Sequence, residues 1–389
     1  MTTRSPTPPV PEVGRSLDLQ ALLAAKSHFL FGPRQTGKTF LIRHRLASAR
    51  LYDLLDTTTF LALSQRPQRL AEELPAADRP VVVIDEIQRL PDLLNEVHRL
   101  IEERDVRFLL TGSSARKLRR GGVNLLGGRA RTRHLHPLTS HELGGRFDLQ
   151  RALRTGLLPS IYFSDDPQAD LAAYCGAYLQ EEIRAEGATR NIPAFGRFLH
   201  VAALCNATVV NFTNVASDAQ VPRTTVYEYF DILRDTLIIH ELPAWRQSVK
   251  RKPIVSSKYY FFDAGIVASL QGRLVAPGTP EFGEMFETWL HHELCSYRDY
   301  RTSEPLAYWR STSGFEVDFL LGDHTAVEAK AKETIGPQDL RGLGALAEEE
   351  RLQRLLCVSL EPRRRTVGKI QIWPHREFVE ALWADEFRG

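Results

Sequence analysis

Residues 29–40, FLFGPRQTGKTF, decide the fold. Between Gly32 and Thr39 the stretch reads G-x-x-x-x-G-K-[S/T]. It has the context its physics requires: an apolar strand (27–31, SHFLF) before it and a helical pattern after it. Gly32 and Gly37 permit backbone angles that turn successive loop N–H groups inward, toward phosphate oxygens, and the following helix adds its dipole. The loop residues Pro33, Arg34, Gln35 and Thr36 and the helix-opening Lys38, Thr39 and Phe40 are therefore the expected nucleotide contacts. Lys38 would reach the β- and γ-phosphates and the Thr39 hydroxyl would ligate Mg²⁺, so the expected cofactors are ATP and Mg²⁺.

A second motif, VVVIDEIQRLP at 81–91, is an apolar strand ending in two carboxylates. It sets Asp85 at a sheet edge, where it can hold Mg²⁺ through the ion's water shell. Glu86 is the expected base, since a carboxylate beside the γ-phosphate can orient and polarise the attacking water. A third apolar strand, RFLLTGSSARKL at 107–118, ends in small hydroxyl residues. Ser113 is the expected γ-phosphate sensor, with Ser114 next to it.

The rest of the composition sets bounds. At 389 residues, two or three domains are expected. With 43% hydrophobic and 25% charged residues the chain can bury cores almost throughout. Residues 1–16 read as a flexible Pro/Ser/Thr-rich leader without the apolar core of a signal peptide. No apolar run is long enough to span a membrane, and the four scattered cysteines suggest buried thiols in a reducing cytoplasm. The net charge of +2 hides local bias. Seven basic and no acidic residues lie between Arg116 and Arg133, and five basic and no acidic between Leu242 and Phe262.

The rhythm of apolar runs predicts an α/β fold: a P-loop domain with a parallel sheet over 17–145 and a helical lid or connector over 146–195. A winged helix is expected over 196–272 and a further α/β unit over 273–389. In TNVASDAQVPRTTVYEYFDILRDTLIIHEL (213–242) a short helix, a turn at Val221-Pro222 and a second helix from Arg223 form a helix-turn-helix pattern. Arg223, Thr224, Thr225 and Tyr227 are the expected DNA-facing residues, while Val226, Phe230 and Leu233 form the buried stripe. The basic turn with Arg246, Lys250, Arg251 and Lys252 would touch phosphates as a wing.

The final unit holds Glu287 in FGEMFETWLHHEL, Asp318 in GFEVDFLL, and Glu328 and Lys330 in TAVEAKAK. Glu328 and Lys330, two apart on a strand, share a face. The set resembles the core of the restriction-endonuclease-like fold. On that resemblance Asp318 and Glu328 would hold a hard divalent cation and Lys330 would orient water.

The phosphate loop, the DE-ended strand, TGSSAR (111–116) and LGGRAR (126–131), in this order, resemble the prokaryotic AAA+ ATPases that carry a C-terminal domain of unknown function. The resemblance implies that Arg129, after Gly128, acts across a subunit interface as an arginine finger, and that Pro159 of GLLPSIYF packs near the adenine. It implies a homo-oligomer, a hexameric ring among its forms. The expected function is thus an ATP-hydrolysing machine that remodels or translocates on DNA, with branched DNA a candidate substrate by analogy. The alternatives are an ATP-regulated, metal-dependent endonuclease and an ATP-gated switch that binds a protein partner.

Overall fold

The computed structural model describes residues 11–74, 79–114, 116, 118, 126–178 and 191–389. Leader residues 1–10, the basic residues 117, 119 and 120, and connector residues 179–190 lie outside the described part. Among the described residues no helix is long and apolar enough to cross a membrane.

The first unit is built on a five-stranded, all-parallel sheet: β1 (Ser27–Phe31), β2 (Arg50–Asp53), β3 (Val81–Asp85), β4 (Arg107–Gly112) and β5 (Ala130–His134), in the order β2-β3-β4-β1-β5. Its inner strands are the three apolar runs, buried on both faces as a helix-covered parallel sheet demands. The edge strands escape a reading by hydrophobic pattern. β2 and β5, RLYD and ARTRH, carry charged residues and are only partly buried. The leader assignment needs correction at its end: Val13 and Arg15 are buried, at 5% and 8% exposure, so residues 11–16 belong to the folded structure.

The middle unit runs helix Ile192–Leu204, β6 (Thr208–Val209), helix Phe212–Ala219, helix Arg223–Asp235, β7 (Ile239–Leu242) and β8 (Lys258–Phe261). The three strands make an antiparallel sheet in the order β6-β8-β7. Asn211 caps the helix at 212 through Thr213 N–H at 3.0 Å. Val226, Phe230 and Leu233 are buried, the stripe expected from spacing.

The last unit opens with helix Pro280–Tyr297, capped by Thr279 with Pro280 at its first position. There follow β9 (Leu306–Arg310), β10 (Glu316–Leu321), β11 (Thr325–Lys330), helix Arg341–Leu346, β12 (Arg354–Ser359), β13 (Arg365–Val367), β14 (Ile370–Pro374) and helix His375–Trp383. β9, β10 and β11 form an antiparallel meander, while β12 lies parallel to β11. The six-stranded sheet is ordered β13-β14-β12-β11-β10-β9.

Connector, middle and last units share one apolar core, which reaches from Val13 through Phe198 and Trp289 to Phe387. Inside it lies Glu293, whose carboxylate accepts from Ser140 N–H at 2.6 Å and Trp383 Nε1–H at 3.2 Å. Burial pushes this carboxyl up to about 7. A raised folded-state value stabilises the fold fully below the unfolded value of about 4.5, and that contribution is lost as pH rises through about 7. Glu293→Gln should therefore gain on wild type by up to about 3 kcal/mol between pH 4.5 and pH 7. Denaturant midpoints across that range would test it; a stability difference independent of pH would contradict it.

Candidate active site

The loop between β1 and helix Lys38–Arg45 is shaped by backbone that few residues adopt. Gly37 has φ +93° and Gln35 φ +62°, in the left-handed region. A Cβ on Gly32 would lie 2.4 Å from the Leu135 carbonyl oxygen, so only glycine lets the loop pass there. Thr36 Oγ1 donates to the Pro33 carbonyl at 2.8 Å, and Lys38 Nζ donates to the carbonyls of Gly32 and Pro33 at 2.5 and 3.1 Å. Gly37 gives the helix no side-chain cap, and a helix start of this kind is a favourable place for an anion.

Asp85, buried at the end of β3, meets the Thr39 hydroxyl at 3.2 Å through Oδ2 and the Thr111 hydroxyl through Oδ1. Loop, β3 and β4 thus converge on one carboxylate. Glu86 sits at φ +61°, a strained conformation for a side-chain-bearing residue and one common at functional positions. Burial raises its carboxyl above the ordinary glutamate value, opposed by Lys38. Gln88 donates to Glu86 Oε2 and packs so closely on Gly112 that a Cβ there would fall 2.2 Å from Gln88 Oε1. Ser113 and Ser114, buried, follow at the end of β4.

Sequence reasoning missed Thr111, Gln88 and Arg15. The first two are ordinary strand-end and turn residues until the register places them. Arg15 lies in a stretch without pattern, yet its guanidinium donates to the carbonyls of Thr36 at 2.7 Å and His136 at 2.6 Å and pairs with Glu142 at 3.1 Å. Beside the loop opens a cavity of about 640 Å³, lined by Val13, Arg15, Gln35, Gly37, Phe40, Leu138, Pro159, Ile161 and Tyr174, among others. Ser160 donates to Gln35 Oε1 at 2.8 Å, so the Pro159 turn touches the loop directly.

Residues 24–144 match a family described as an AAA domain. This unit is a P-loop ATPase domain of the AAA type. Two families described as domains of unknown function match further on: DUF8612 over residues 146–274 and DUF4143 over 282–378. Uncharacterized proteins of Mycobacterium bovis and Mycobacterium tuberculosis are each 29% identical over 355 residues, covering 87% of this chain and 77% of theirs. Among solved structures, the Walker-type ATPase of Pyrococcus abyssi aligns at 15% identity over 65% of this chain and 93% of that one, with TM-score 0.46. A signal transduction ATPase with a tetratricopeptide repeat sensor from Pyrococcus horikoshii aligns at 15% identity over 76% of this chain and 48% of that one, with TM-score 0.25.

Outside the nucleotide loop of the AAA domain, Arg129 follows Gly128 (φ +77°) and pairs at the surface with Glu102. Arg223, Thr224 and Tyr227 are exposed and Thr225 half-buried; the Arg223 guanidinium donates to the Tyr227 hydroxyl at 2.8 Å. Of the basic turn, Arg246, Lys250 and Lys252 are exposed, whereas Arg251 pairs with Glu348 at 2.8 Å and lies 4.8 Å from the Phe315 ring centre. Glu349 accepts from Val249 N–H at 2.7 Å, so the turn is pinned to the last unit.

Glu287, Asp318, Glu328 and Lys330 lie in one cluster of the last unit. Lys330 Nζ meets Glu328 Oε1 at 2.5 Å, and Asp318 Oδ2 accepts from Ala329 N–H at 2.9 Å. Burial and the neighbouring Asp318 push Glu287 up to about 7 and Glu328 up to about 8. The cluster also contains two residues the sequence reading did not include: Glu316 and, from β8 of the middle unit, Lys258.

Proposed function

We propose that this chain hydrolyses ATP with Mg²⁺ and uses the cycle to move a DNA-binding helix, acting as a homo-oligomeric remodeller of DNA. Thr39 would ligate the ion, Asp85 would hold its water shell, Lys38 the phosphates and Glu86 the attacking water, with the base in the cavity beside Pro159 and Phe40. In the oligomer Arg129 would face a neighbour's nucleotide. The observation that carries the coupling is one ion pair. Arg116, three residues beyond Ser113, pairs with Asp235 at 3.1 Å, its side chain 6% exposed. Asp235 ends the helix whose exposed start bears Arg223, Thr224 and Tyr227. Through that pair a shift at the γ-phosphate sensor would reach the helix.

The helix order and the β6-β8-β7 sheet of the middle unit support a winged helix. The helix, antiparallel meander and parallel β12 of the last unit support a restriction-endonuclease-like scaffold. Gel shifts with duplex, forked and four-way DNA over a salt series would test the reading. Affinity should fall steeply with salt, and Arg223→Ala should weaken it and flatten the log-log slope by about 1, one phosphate contact. No salt-sensitive DNA binding by the full chain would contradict it and favour a switch that binds a protein partner.

A further inference from the structure

The carboxylate cluster of the last unit is not open to a metal ion, because a side chain of the middle unit already sits in it. Lys258 Nζ lies 2.5 Å from Glu316 Oε1, 3.3 Å from Glu287 Oε1 and 3.8 Å from Asp318 Oδ1. Its side chain is 3% exposed and passes 5.3 Å from the Tyr308 ring centre. The backbone that carries it is held on both sides, since β8 is the central strand and Lys258 is in register with Val209 of β6 and Leu242 of β7. Two residues on, from the same face of β8, Tyr260 donates its hydroxyl to Glu287 Oε1 at 2.6 Å. One strand therefore delivers a cation and a hydroxyl donor into the cluster.

The remaining oxygens are mostly engaged by the last unit itself, Asp318 Oδ2 by the Ala329 N–H and Glu328 Oε1 by Lys330. Among the described residues, Glu328 Oε2 is the one carboxylate oxygen of the cluster that is buried without a hydrogen-bond partner. A Mg²⁺ ion needs near-octahedral oxygen ligands at close range and keeps several of its waters. Neither requirement is met where an ammonium group already contacts three carboxylates, and a second cation would be repelled by the first. We propose that Lys258 is a built-in substitute for the metal: its ammonium neutralises the Glu287, Glu316 and Asp318 cluster, locks the middle sheet to the last unit, and keeps this site free of divalent ions. On this reading wild type does not cut DNA, and the last unit serves as a docking scaffold. The inference is independent of the ATP site.

The test is Mn²⁺ binding to the full chain without nucleotide, followed by electron paramagnetic resonance and by melting temperature. Wild type and Lys258→Arg should bind no Mn²⁺ that Asp318→Asn removes. Lys258→Met keeps the stem and deletes the charge. It should gain Mn²⁺ binding at this site at least about a hundredfold tighter than the weakest binding the measurement detects, since one nearby positive charge is gone. Mn²⁺ should also raise its melting temperature, and adding Asp318→Asn should abolish both effects. A folded Lys258→Met that gains no Mn²⁺ binding would overturn the proposal. So would Mn²⁺ binding by wild type that Asp318→Asn removes, a comparison that stands even if Lys258→Met does not fold.

Discussion

Lys38→Ala is expected to abolish nucleotide binding, and Glu86→Gln to preserve binding while cutting turnover by about 10²–10⁴-fold. The two differ because of what each side chain faces. Lys38 is 7% exposed, its ammonium held over the loop carbonyls of Gly32 and Pro33, where phosphate oxygens would lie, so its loss removes the main positive charge of the cradle. Glu86 stands beyond Asp85, half-buried and oriented by Gln88, and its amide analogue keeps the shape and the Gln88 contact but cannot take up a proton. Equilibrium binding of a fluorescent ATP analogue and steady-state phosphate release separate the two effects. Normal hydrolysis by either variant would remove these residues from the roles assigned to them.

Arg15→Ala should destabilise the chain by about 3–5 kcal/mol, the range for breaking a buried ion pair and leaving its partner charge alone. The Arg15 and Glu142 side chains are 3% and 1% exposed, and truncation would leave the buried Glu142 charge with the Ser16 and Thr139 N–H groups but no cation, and remove the Arg15 donor from the carbonyls of Thr36 and His136. Because Thr36 is in the phosphate loop and Arg15 also lines the cavity beside it, nucleotide affinity should fall in parallel. Arg15→Lys should recover only part of the loss, since one ammonium cannot span the loop carbonyl and the two carbonyls after β5. Denaturant midpoints and ATP-analogue titration check both statements. A variant within about 1 kcal/mol of wild type, with unchanged affinity, would make the Arg15 network incidental.

The parts of this molecule legible in sequence were those whose chemistry is local. The phosphate loop, the DE-ended β3 and the hydroxyl-ended β4 each carry their signal within a dozen residues, and their strands are apolar because both faces are covered. The helix-turn-helix was legible for a related reason: Val226, Phe230 and Leu233 repeat at helical spacing and Pro222 marks a start. What escaped depends on contacts between distant segments. Arg15 has no pattern of its own and acquires meaning from partners 21 and 121 residues away. β2, β5 and β13 are polar or exposed edges without an apolar run. Lys258 is one of the five basic residues between Leu242 and Phe262 but lies past the basic turn, and nothing in the strand KYYF says that its ammonium enters a carboxylate cluster 29 to 60 residues downstream. The Glu-x-Lys pair on β11 advertised the site; its occupant came from another unit.

The most direct test of the coupling between nucleotide and DNA is the DNA affinity of Glu86→Gln with and without Mg²⁺-ATP, compared with the same variant carrying Arg116→Ala. With hydrolysis blocked, Glu86→Gln would stay nucleotide-bound, and communication through Arg116 and Asp235 would appear as a shift in affinity. The expected result is a change of about 5- to 150-fold on adding Mg²⁺-ATP, the span of ordinary allosteric coupling, largely lost when Arg116 is removed. DNA affinity that is the same with and without Mg²⁺-ATP, in a Glu86→Gln protein shown to bind the nucleotide, would contradict it.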